Sequence, residues 1–374
     1  MATHEIRVDP SRPLAAEPET GHNRWHLDIL PVVRCRPGDE VVMETRDALD
    51  GQIMKDSGLD VVLQCNLNVV HPLTGPAHVE GAEPGDLLVA EILEVAPPPF
   101  GFTVQIPGFG FLRDEFPDPH IVKWDIAEGW ATSDDLPGVR IPGAPFMGTI
   151  GLAPSRDLMA RIAAREQELL DRGGAVLPPE AADAVPSDPA IADEALRTVP
   201  PRENAGNVDI KQLSAGARLL MPVWVEGGSF SAGDAHFAQG DCETCGTAVE
   251  MTSTLRVRFD LRKGVAQERG IRDLQYERDD YVVAPEFQAP RRFFATTGIS
   301  VHRDGRNESE DLTLAARGAL LNMIYHLTME YGYTRQQAYA LCSVAVDLTV
   351  SELVDVPNFV VSALLPLDIF TQST

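Results

Sequence analysis

Residues 217 to 260 decide the fold; they include ARLLMPVWV at 217–225, GDAHFAQGDCE at 233–243 and EMTSTLRVRFD at 250–260. The first and last of these segments are rich in β-branched and aliphatic residues, and the last alternates apolar with polar residues, which is typical of strands. The middle segment concentrates ionisable and amide side chains between them. The sequence therefore predicts two strands separated by a segment that carries chemistry.

The middle segment has a regular spacing of polar residues. Asp234 and His236 are two apart, and so are Gln239, Asp241 and Glu243. Residues two apart face the same side of an extended chain, so carboxylates, an imidazole and an amide can converge. The small and apolar spacers predict a partly buried path, where an unpaired carboxylate is costly unless a cation or donors accompany it. This pattern favours a metal or acid–base site over the alternative, a solvated polar hairpin.

Short strands are also predicted within the N-terminal part of the chain. Apolar runs at 41–45, 61–64 and 87–93 are separated by Pro and Gly, which predicts strands. Pro-Gly pairs at 37–38 and 84–85 each precede a strand and suit the central positions of a type II turn, so we expect hairpin turns there.

Helices are predicted in two places. A helical stripe at 155–172 ends at a Gly pair, and an amphipathic helix beyond Asp311 ends at Gly332. Thr334 and Gln337 form a capping box for a further helix. Residues 175–203, rich in Pro, Ala and Asp, are typical of an extended crossing segment.

These patterns divide the chain into four stretches. We expect an N-terminal β-rich domain (1–154), a helix with a Pro/Ala-rich crossing segment (155–205), a second β-rich unit carrying the site (206–300) and an α+β C-terminal region (301–374). The predicted fold class is mainly β with an α+β C-terminal part.

Composition excludes several kinds of partner. The 374 residues carry 31 basic and 56 acidic side chains, a net charge of −25, which argues against nucleic acid because phosphate binding needs a basic surplus. No apolar run approaches the roughly 20 residues that cross a bilayer, so no membrane partner is expected. Five scattered cysteines and a first segment unlike a signal peptide predict a cytoplasmic protein.

Other candidate sites carry weaker signals. Cys242-x-x-Cys245 is half of a zinc site, but no second pair exists, so two buried thiols are the simpler interpretation. The polar residues Asn207 and Asp209 fit either the start of a strand or an Asx turn. His71 and His78 are expected to face opposite ways, so at most one supports a site. Motifs of serine hydrolases, P-loop proteins and HExxH metalloproteases are missing from the sequence.

The chain resembles the acetamidase/formamidase family over nearly its whole length. The residues that carry the resemblance are HNRWH at 22–26, TGPAHVEGAEPGD at 74–86, PFMGTIG at 145–151, PRENAGNVDIK at 201–211, GDAHFAQGDCE at 233–243, CGTAVE at 245–250 and GYTRQQAY at 332–339. Two positions depart from the family pattern: Cys242 and Ala205 stand where Gly is usual. The extra bulk of Cys242 bears on which amide is the substrate.

This resemblance implies a fold and an activity. The fold is expected to contain jelly-roll-like β-sandwich units, a smaller barrel-like region and the α+β C-terminal part. The activity is hydrolysis of short-chain amides of the formamide or acetamide type to a carboxylate and ammonia, and some members act on γ-lactams. A divalent metal, zinc or calcium, and a homo-oligomeric state are also implied.

Amide hydrolysis needs a nucleophile, and no Ser or Cys nucleophile motif is present, so metal-activated water is the hypothesis. We expect a divalent metal, zinc first and calcium second. The roles are assigned as follows: Asp209, His236 and Asp241 as metal ligands, Glu243 or Glu80 as general base and acid, Asn207 and Gln239 holding the amide, and Cys242 and His78 lining the substrate pocket.

Three alternatives stay open. A γ-lactamase or other cyclic amidase would use the same residues with a wider pocket. A non-catalytic metal-binding or small-molecule-binding β protein would be expected to lose polar residues from 233–243, where only position 242 is changed. Cys242 as a nucleophile is a minor enzyme variant.

Overall fold

The computed structural model describes residues 2–281, 283–287 and 292–371. Strands dominate, as predicted. In chain order they are β1 Thr3–Ile6, β2 Gly21–His22, β3 Arg24–Trp25, β4 Val33–Cys35, β5 Glu40–Thr45, β6 Leu73–Val79, β7 Leu87–Ala96, β8 Phe100–Gln105, β9 His120–Ala127, β10 Trp130–Thr132, β11 Ile141–Pro142, β12 Phe146–Gly151, β13 Leu196–Arg197, β14 Ala205–Asn207, β15 Arg218–Pro222, β16 Phe230–His236, β17 Glu250–Met251, β18 Ser253–Arg262, β19 Gln275–Glu277, β20 Phe293–Ile299, β21 Asp347–Glu352 and β22 Val360–Pro366.

Helices are fewer and longest near the C-terminus. They are α1 Leu59–Gln64, α2 Arg156–Asp171, α3 Pro189–Ala192, α4 Val265–Arg269, α5 Leu312–Tyr331 and α6 Arg335–Ala345, with short 3-10 turns at Leu14–Ala16, Pro285–Phe287 and Leu367–Ile369. Within the described ranges, no helix has both the length and the apolar character that crossing a membrane requires.

Two large sheets pack face to face as a sandwich. The first has the order β1-β5-β18-β7-β15-β19; the second contains β11-β10-β9-β8-β17-β16-β12-β14, with β6 beside β16 and with β2 and β4 beside β6. Buried residues of both sheets form one core, in which the Phe230 and Phe259 rings meet edge to face at 4.9 Å. The sheets stay open rather than closing into a barrel in the part of the chain described.

The two Pro-Gly turns form as predicted but do not make hairpins. Asp39 N donates to Arg36 O at 2.9 Å and Gly38 has a φ of 90°, as a type II turn requires. However, β4 lies in the second sheet and β5 in the first, and the same change of sheet occurs between β6 and β7. Each turn therefore carries the chain across the sandwich, and the hairpin expectation is wrong.

Strands from before and after the crossing segment share both sheets. In the first sheet β18 lies between β5 and β7, and in the second sheet β16 pairs with β12 and β6. The stretches 1–154 and 206–300 thus contribute to one sandwich. Their division into separate units remains a prediction.

The helix predictions agree with the structure, but the strand predicted at 61–64 does not form. Ser155 Oγ caps α2, Gly332 ends α5 in the left-handed conformation, and Thr334 with Gln337 forms the capping box of α6. Residues 61–64 lie in the helix α1 instead of a strand. A run of three apolar residues followed by Gln64 carries too little periodicity to distinguish a strand from a helix.

The C-terminal part is α+β, as expected. The strands β20, β22 and β21 form a three-stranded antiparallel sheet, and α5 packs on β20 and β22. Helix α6 is almost wholly buried and holds the segment that follows β16: Gly240 N donates to Ser343 O at 2.8 Å. This contact joins the C-terminal part to the polar segment 233–243.

Candidate functional site

Strand β16 carries two of the candidate side chains into the middle of the second sheet. Asp234 and His236 lie on one face of the strand, as their spacing predicts, and are 3% and 1% exposed. Nε2 of His236 lies 3.3 Å from Oδ1 of Asp234. The neighbouring strand β12 presents Gly148 opposite Asp234, between the pairs Met147–Ala235 and Thr149–Gly233.

Asp209 reaches the same place from the turn after β14. The backbone N–H groups of Val208 and Asp209 both donate to Gly148 O, at 3.0 and 3.2 Å, and Asp209 adopts a φ of 48°. A Cβ at Gly148 would lie 2.6 Å from Asp209 Oδ1, 2.6 Å from His236 Cε1 and 2.8 Å from Asp234 Oδ2. The missing side chain of Gly148 therefore leaves the space in which the three groups meet.

Two glutamates complete the cluster. Glu250 is the register partner of His236 on the adjacent strand β17, and its Oε1 lies 3.3 Å from His236 Nε2. Glu243 arrives from the following loop with Oε1 at 3.7 Å from the same nitrogen. We call the five residues Asp209, Asp234, His236, Glu243 and Glu250 the carboxylate–histidine cluster.

Gln239 orients the imidazole of the cluster. Its Nε2 donates to Asp209 O at 2.8 Å, which turns Oε1 toward His236 Nδ1 at 2.9 Å. Because Oε1 only accepts, Nδ1 carries the hydrogen, and Nε2 is the ring nitrogen that faces the carboxylates of the cluster. The structure thus gives Gln239 contacts with His236 and Asp209, and its contact with an amide remains a prediction.

Burial shapes the protonation of the cluster. It raises the pKa of Asp209 to about 8, with help from Asp234, and raises the pKa of Glu250 to about 7. Burial and the charge of Asp209 raise the pKa of Glu243 well above its usual value. Burial would also raise the pKa of Asp234, but the imidazoles of His71 and His236 hold it below its usual value.

The cluster fits a divalent cation. Ligand atoms of Asp209, Asp234 and His236, and likewise those of His236, Glu243 and Glu250, lie within 4.8 Å of one another. Asp209 Oδ1 and Glu250 Oε2 are buried and have no hydrogen-bond partner. Unpartnered buried carboxylate oxygens are costly, and a cation among them removes that cost.

Three residues of the cluster, Asp234, Glu243 and Glu250, line a cavity of about 140 Å³. His71 and Asn207 line the same cavity; Asn207 Oδ1 accepts from Thr149 Oγ1 at 2.7 Å. The remaining lining is mostly apolar and comes from Ala48, Leu49, Leu67, Val70, Ile106, Phe109, Leu177 and Val199, with Arg197, Gly246 and Thr247. The arrangement can hold a polar reacting group beside the cluster and an apolar chain away from it.

Four candidates from the sequence lie away from the cluster. Glu80 is half-exposed and paired with Arg36 at 3.0 Å, because it follows β6 at the rim of the sandwich. His78 packs against the backbone of Gly227. Of the residues that the structure describes, the cavity lining does not include His78 or the exposed Cys242.

Asp241 is the fourth. The chain turns at Cys242 and Glu243, whose φ values are 79° and 43°, so it is not extended there, and Asp241 points to Lys211 at 3.4 Å. The alternation that relates Asp241 to Glu243 in an extended chain therefore fails. Glu243 reaches the cluster, and Asp241 does not.

The role of Glu250 was missed in the sequence. A signal was present: if 230–236 and 250 onward are antiparallel neighbours, His236 stands opposite the first residue of the second strand. Gly148 had no comparable signal, since nothing local to 145–151 shows which side chains lie over it.

The chain is similar to known proteins over most of its length. The model of the acetamidase/formamidase family matches residues 7–372. The acetamidase of Mycolicibacterium smegmatis is 37% identical, covering 89% of this chain and 87% of its own, and the formamidase of Methylophilus methylotrophus is 36% identical, covering 93% and 89%. The solved structure of a gamma lactamase from Delftia acidovorans is similar with a TM-score of 0.93 and 36% identity, covering 100% of this chain and 94% of that one.

Proposed function

Because this chain belongs to the acetamidase/formamidase family and is a hydrolase of carbon–nitrogen bonds other than peptide bonds, we propose that it cleaves short-chain linear amides at the carboxylate–histidine cluster. The reaction adds water across the C–N bond and yields a carboxylate and ammonia. The observation that carries this proposal is the gathering of four carboxyl groups around one buried imidazole beside a cavity, with Asp234 and Glu250 buried and Asp209 and Glu243 half-buried.

We assign the metal to His236 Nε2, Asp209 and Asp234, with Glu250 as the further acidic neighbour. The tautomer set by Gln239 and the unpartnered Asp209 Oδ1 support this choice. Imidazole with carboxylates suits zinc better than calcium, which prefers oxygen ligands alone. A bound divalent ion supplies a Lewis acid and lowers the pKa of water toward about 7.

Glu243 is the proposed proton carrier. It lines the cavity, and among the described residues its carboxylate accepts no hydrogen bond, so it is free to take a proton from water and give one to the leaving amine. Glu250 is less free because its Oε1 accepts from Ala248 N at 2.8 Å. Asn207 lines the cavity and is proposed to orient the amide.

Metal analysis and a substrate panel test this function. We expect about one zinc per chain, loss of formamide and acetamide hydrolysis after chelation, and recovery on adding zinc. His236→Ala should lower both metal content and turnover. Full activity in metal-free protein would refute the metal, and absence of hydrolysis on every amide would refute the function.

A cyclic amide is the second candidate substrate. The similarity to a gamma lactamase with a TM-score of 0.93 and the apolar cavity walls favour it. A bicyclic lactam added to the panel separates the two candidates by kcat/KM.

We further propose a homo-oligomeric protein of a reducing, cytoplasmic compartment. All five cysteines, Cys35, Cys65, Cys242, Cys245 and Cys342, are free thiols, which suits such a compartment. Sedimentation velocity measures the subunit number.

A further inference from the structure

Arg197 is a buried cation in the wall of the cavity. It lies on β13, is 6% exposed, and lines the cavity together with residues of the carboxylate–histidine cluster. Its position is fixed by two neutral acceptors: Nη2 donates to Leu67 O at 2.7 Å, and Nη1 to Asn68 Oδ1 at 3.4 Å.

The guanidinium forms no ion pair with any residue that the structure describes. The charge of Glu180 acts on it from a greater distance, and its buried Nε has no hydrogen-bond partner among those residues. Its register partner on β3 is Arg24, which is 0% exposed and is held by backbone carbonyls, among them Glu180 O at 2.9 Å and Ala182 O at 3.0 Å. The two buried guanidinium groups repel each other, and Glu180 opposes this through its charge without an ion pair to either, so an anion beside Arg197 would be favourable.

The electrostatics of the whole chain make this cation unusual. With a net charge of −25, the protein repels anions unless a local cation attracts them. The carboxylate–histidine cluster beside the cavity is itself rich in carboxylates. An anionic group is therefore disfavoured beside the cluster and favoured beside Arg197.

The cavity has room for an aliphatic chain. Its volume is about 140 Å³, whereas about 10–15 Å³ on the same measure holds one water. Formamide and acetamide would leave most of this space unused. Apolar residues such as Leu49, Val70 and Val199 line it, which suits a few methylene groups.

We propose that the preferred substrate is an amide that carries a carboxylate at the far end of a short aliphatic chain, and that Arg197 is the specificity-determining residue that binds this carboxylate. This inference rests on the proposed function. The amide C–N bond is cleaved as before: water supplies the hydroxyl that becomes part of the new carboxylate, the nitrogen leaves as ammonia, and the product is a dicarboxylate. The distal carboxylate takes no part in bond breaking.

Matched substrate pairs test the proposal. Monoamides of dicarboxylic acids with two to four methylene groups are compared with neutral linear amides of the same length, and kcat/KM is measured for each. We expect at least one charged amide to exceed its neutral partner by about tenfold or more, since hydrogen bonds to charged groups are the strong ones. A wild-type enzyme that prefers the neutral amide at every length would overturn the proposal.

Substitutions of Arg197 distinguish a role in substrate binding from a role in folding. Arg197→Met should reduce the charged-to-neutral ratio of kcat/KM by about tenfold or more, and Arg197→Lys should restore part of it, because Lys keeps the charge but not the bidentate fork. Arg165→Met, on the surface of α2 where Arg165 pairs with Glu203, is the control and should leave the ratio unchanged. Equal losses on both substrates in Arg197→Met would show a structural role instead.

A measurement without variants covers the case in which Arg197→Met fails to fold. Dicarboxylates should inhibit the wild-type enzyme competitively at lower concentration than monocarboxylates of equal length, and equal inhibition would contradict the proposal. If the inference about Arg197 is wrong, the enzyme still hydrolyses neutral amides. If the proposed function is wrong, no amide is hydrolysed.

Discussion

Gly148 occupies a position from which a methyl group would collide with Asp209: a Cβ there would lie 2.6 Å from Oδ1 of that carboxylate. The same Cβ would meet His236 and Asp234 at 2.6 and 2.8 Å. Strand β12 thus shapes the site in two ways. The absence of a side chain at Gly148 leaves space for the three groups, and its backbone carbonyl accepts hydrogen bonds from the turn that carries Asp209.

Gly148→Ala is expected to lower kcat/KM by about 100-fold or more, because a shift of about 1 Å in reacting groups costs that much. The overpacking should lower the free energy of unfolding by about 1–3 kcal/mol. Steady-state kinetics and urea unfolding measure the two effects. Gly129→Ala is the control: its φ of 81° makes it strained, but its Cβ meets no atom within 4 Å, so activity should persist. An active Gly148→Ala enzyme would contradict the described geometry.

Gln239→Leu should weaken metal binding by about 10–100-fold, because the tautomer and angle of a metal-binding imidazole depend on the partner of its other nitrogen. A chelator competition assay measures the zinc affinity. Gln167→Leu, on the exposed face of α2, should leave the affinity unchanged. If Gln239→Leu binds zinc as the wild type does, His236 is not held in the way described.

Lys211→Met should destabilise the protein by about 3–5 kcal/mol, because it leaves two carboxylates together without their cation. Lys211 is mostly buried and pairs with Asp241 and Asp347, while Asp241 N donates to Asp347 Oδ1 at 3.0 Å. Since this group ties β21 to the loop that carries Glu243, kcat should fall as well. Chemical denaturation with parallel kinetics tests both, and an unchanged midpoint would refute the ion-pair account.

The buried carboxyl of Asp47 predicts a pH dependence of stability. Burial raises its pKa from 3.8 to about 6. The folded protein therefore binds this proton more tightly than the unfolded chain does, so the contribution is fully present below about pH 4 and is lost as the pH rises through about 6. Its size is about 3 kcal/mol.

Asp47→Asn should remove this dependence while keeping the hydrogen bond from Leu49 N, which is 2.9 Å in the wild type. Asp50, whose pKa burial also raises to about 6, titrates over the same range and leaves a residual slope. Urea unfolding at several pH values between 4 and 7 measures the difference. Parallel pH profiles for the two proteins would rule out the assignment to Asp47.

The candidate site was predicted where local periodicity governs the chain and missed where it does not. Asp234 and His236 share a face because β16 is a regular strand. Asp241 points away from the cluster because positive φ values at the next two residues break the alternation. The residue types at these two positions do not predict positive φ values. Glu250 and Gly148 depend on strand register, which a single sequence does not specify.

The fold shows the same division. The capping box of α6 was predictable because Thr334 and Gln337 make their hydrogen bonds within one helix. The Pro-Gly turns at 37–38 and 84–85 were recognised as turns, but their effect on topology was not, since a type II turn does not state which sheet the next strand joins. Sheet membership is a long-range property.

The interleaving of strands in the first sheet has a consequence for synthesis on the ribosome. β5 and β7 are made early, yet the strand that lies between them, β18, ends only at Arg262. Until that residue has left the exit tunnel, both early strands expose unpaired edges and apolar faces such as Val41 and Leu88. The nascent chain therefore carries exposed strand edges and apolar faces over most of its translation.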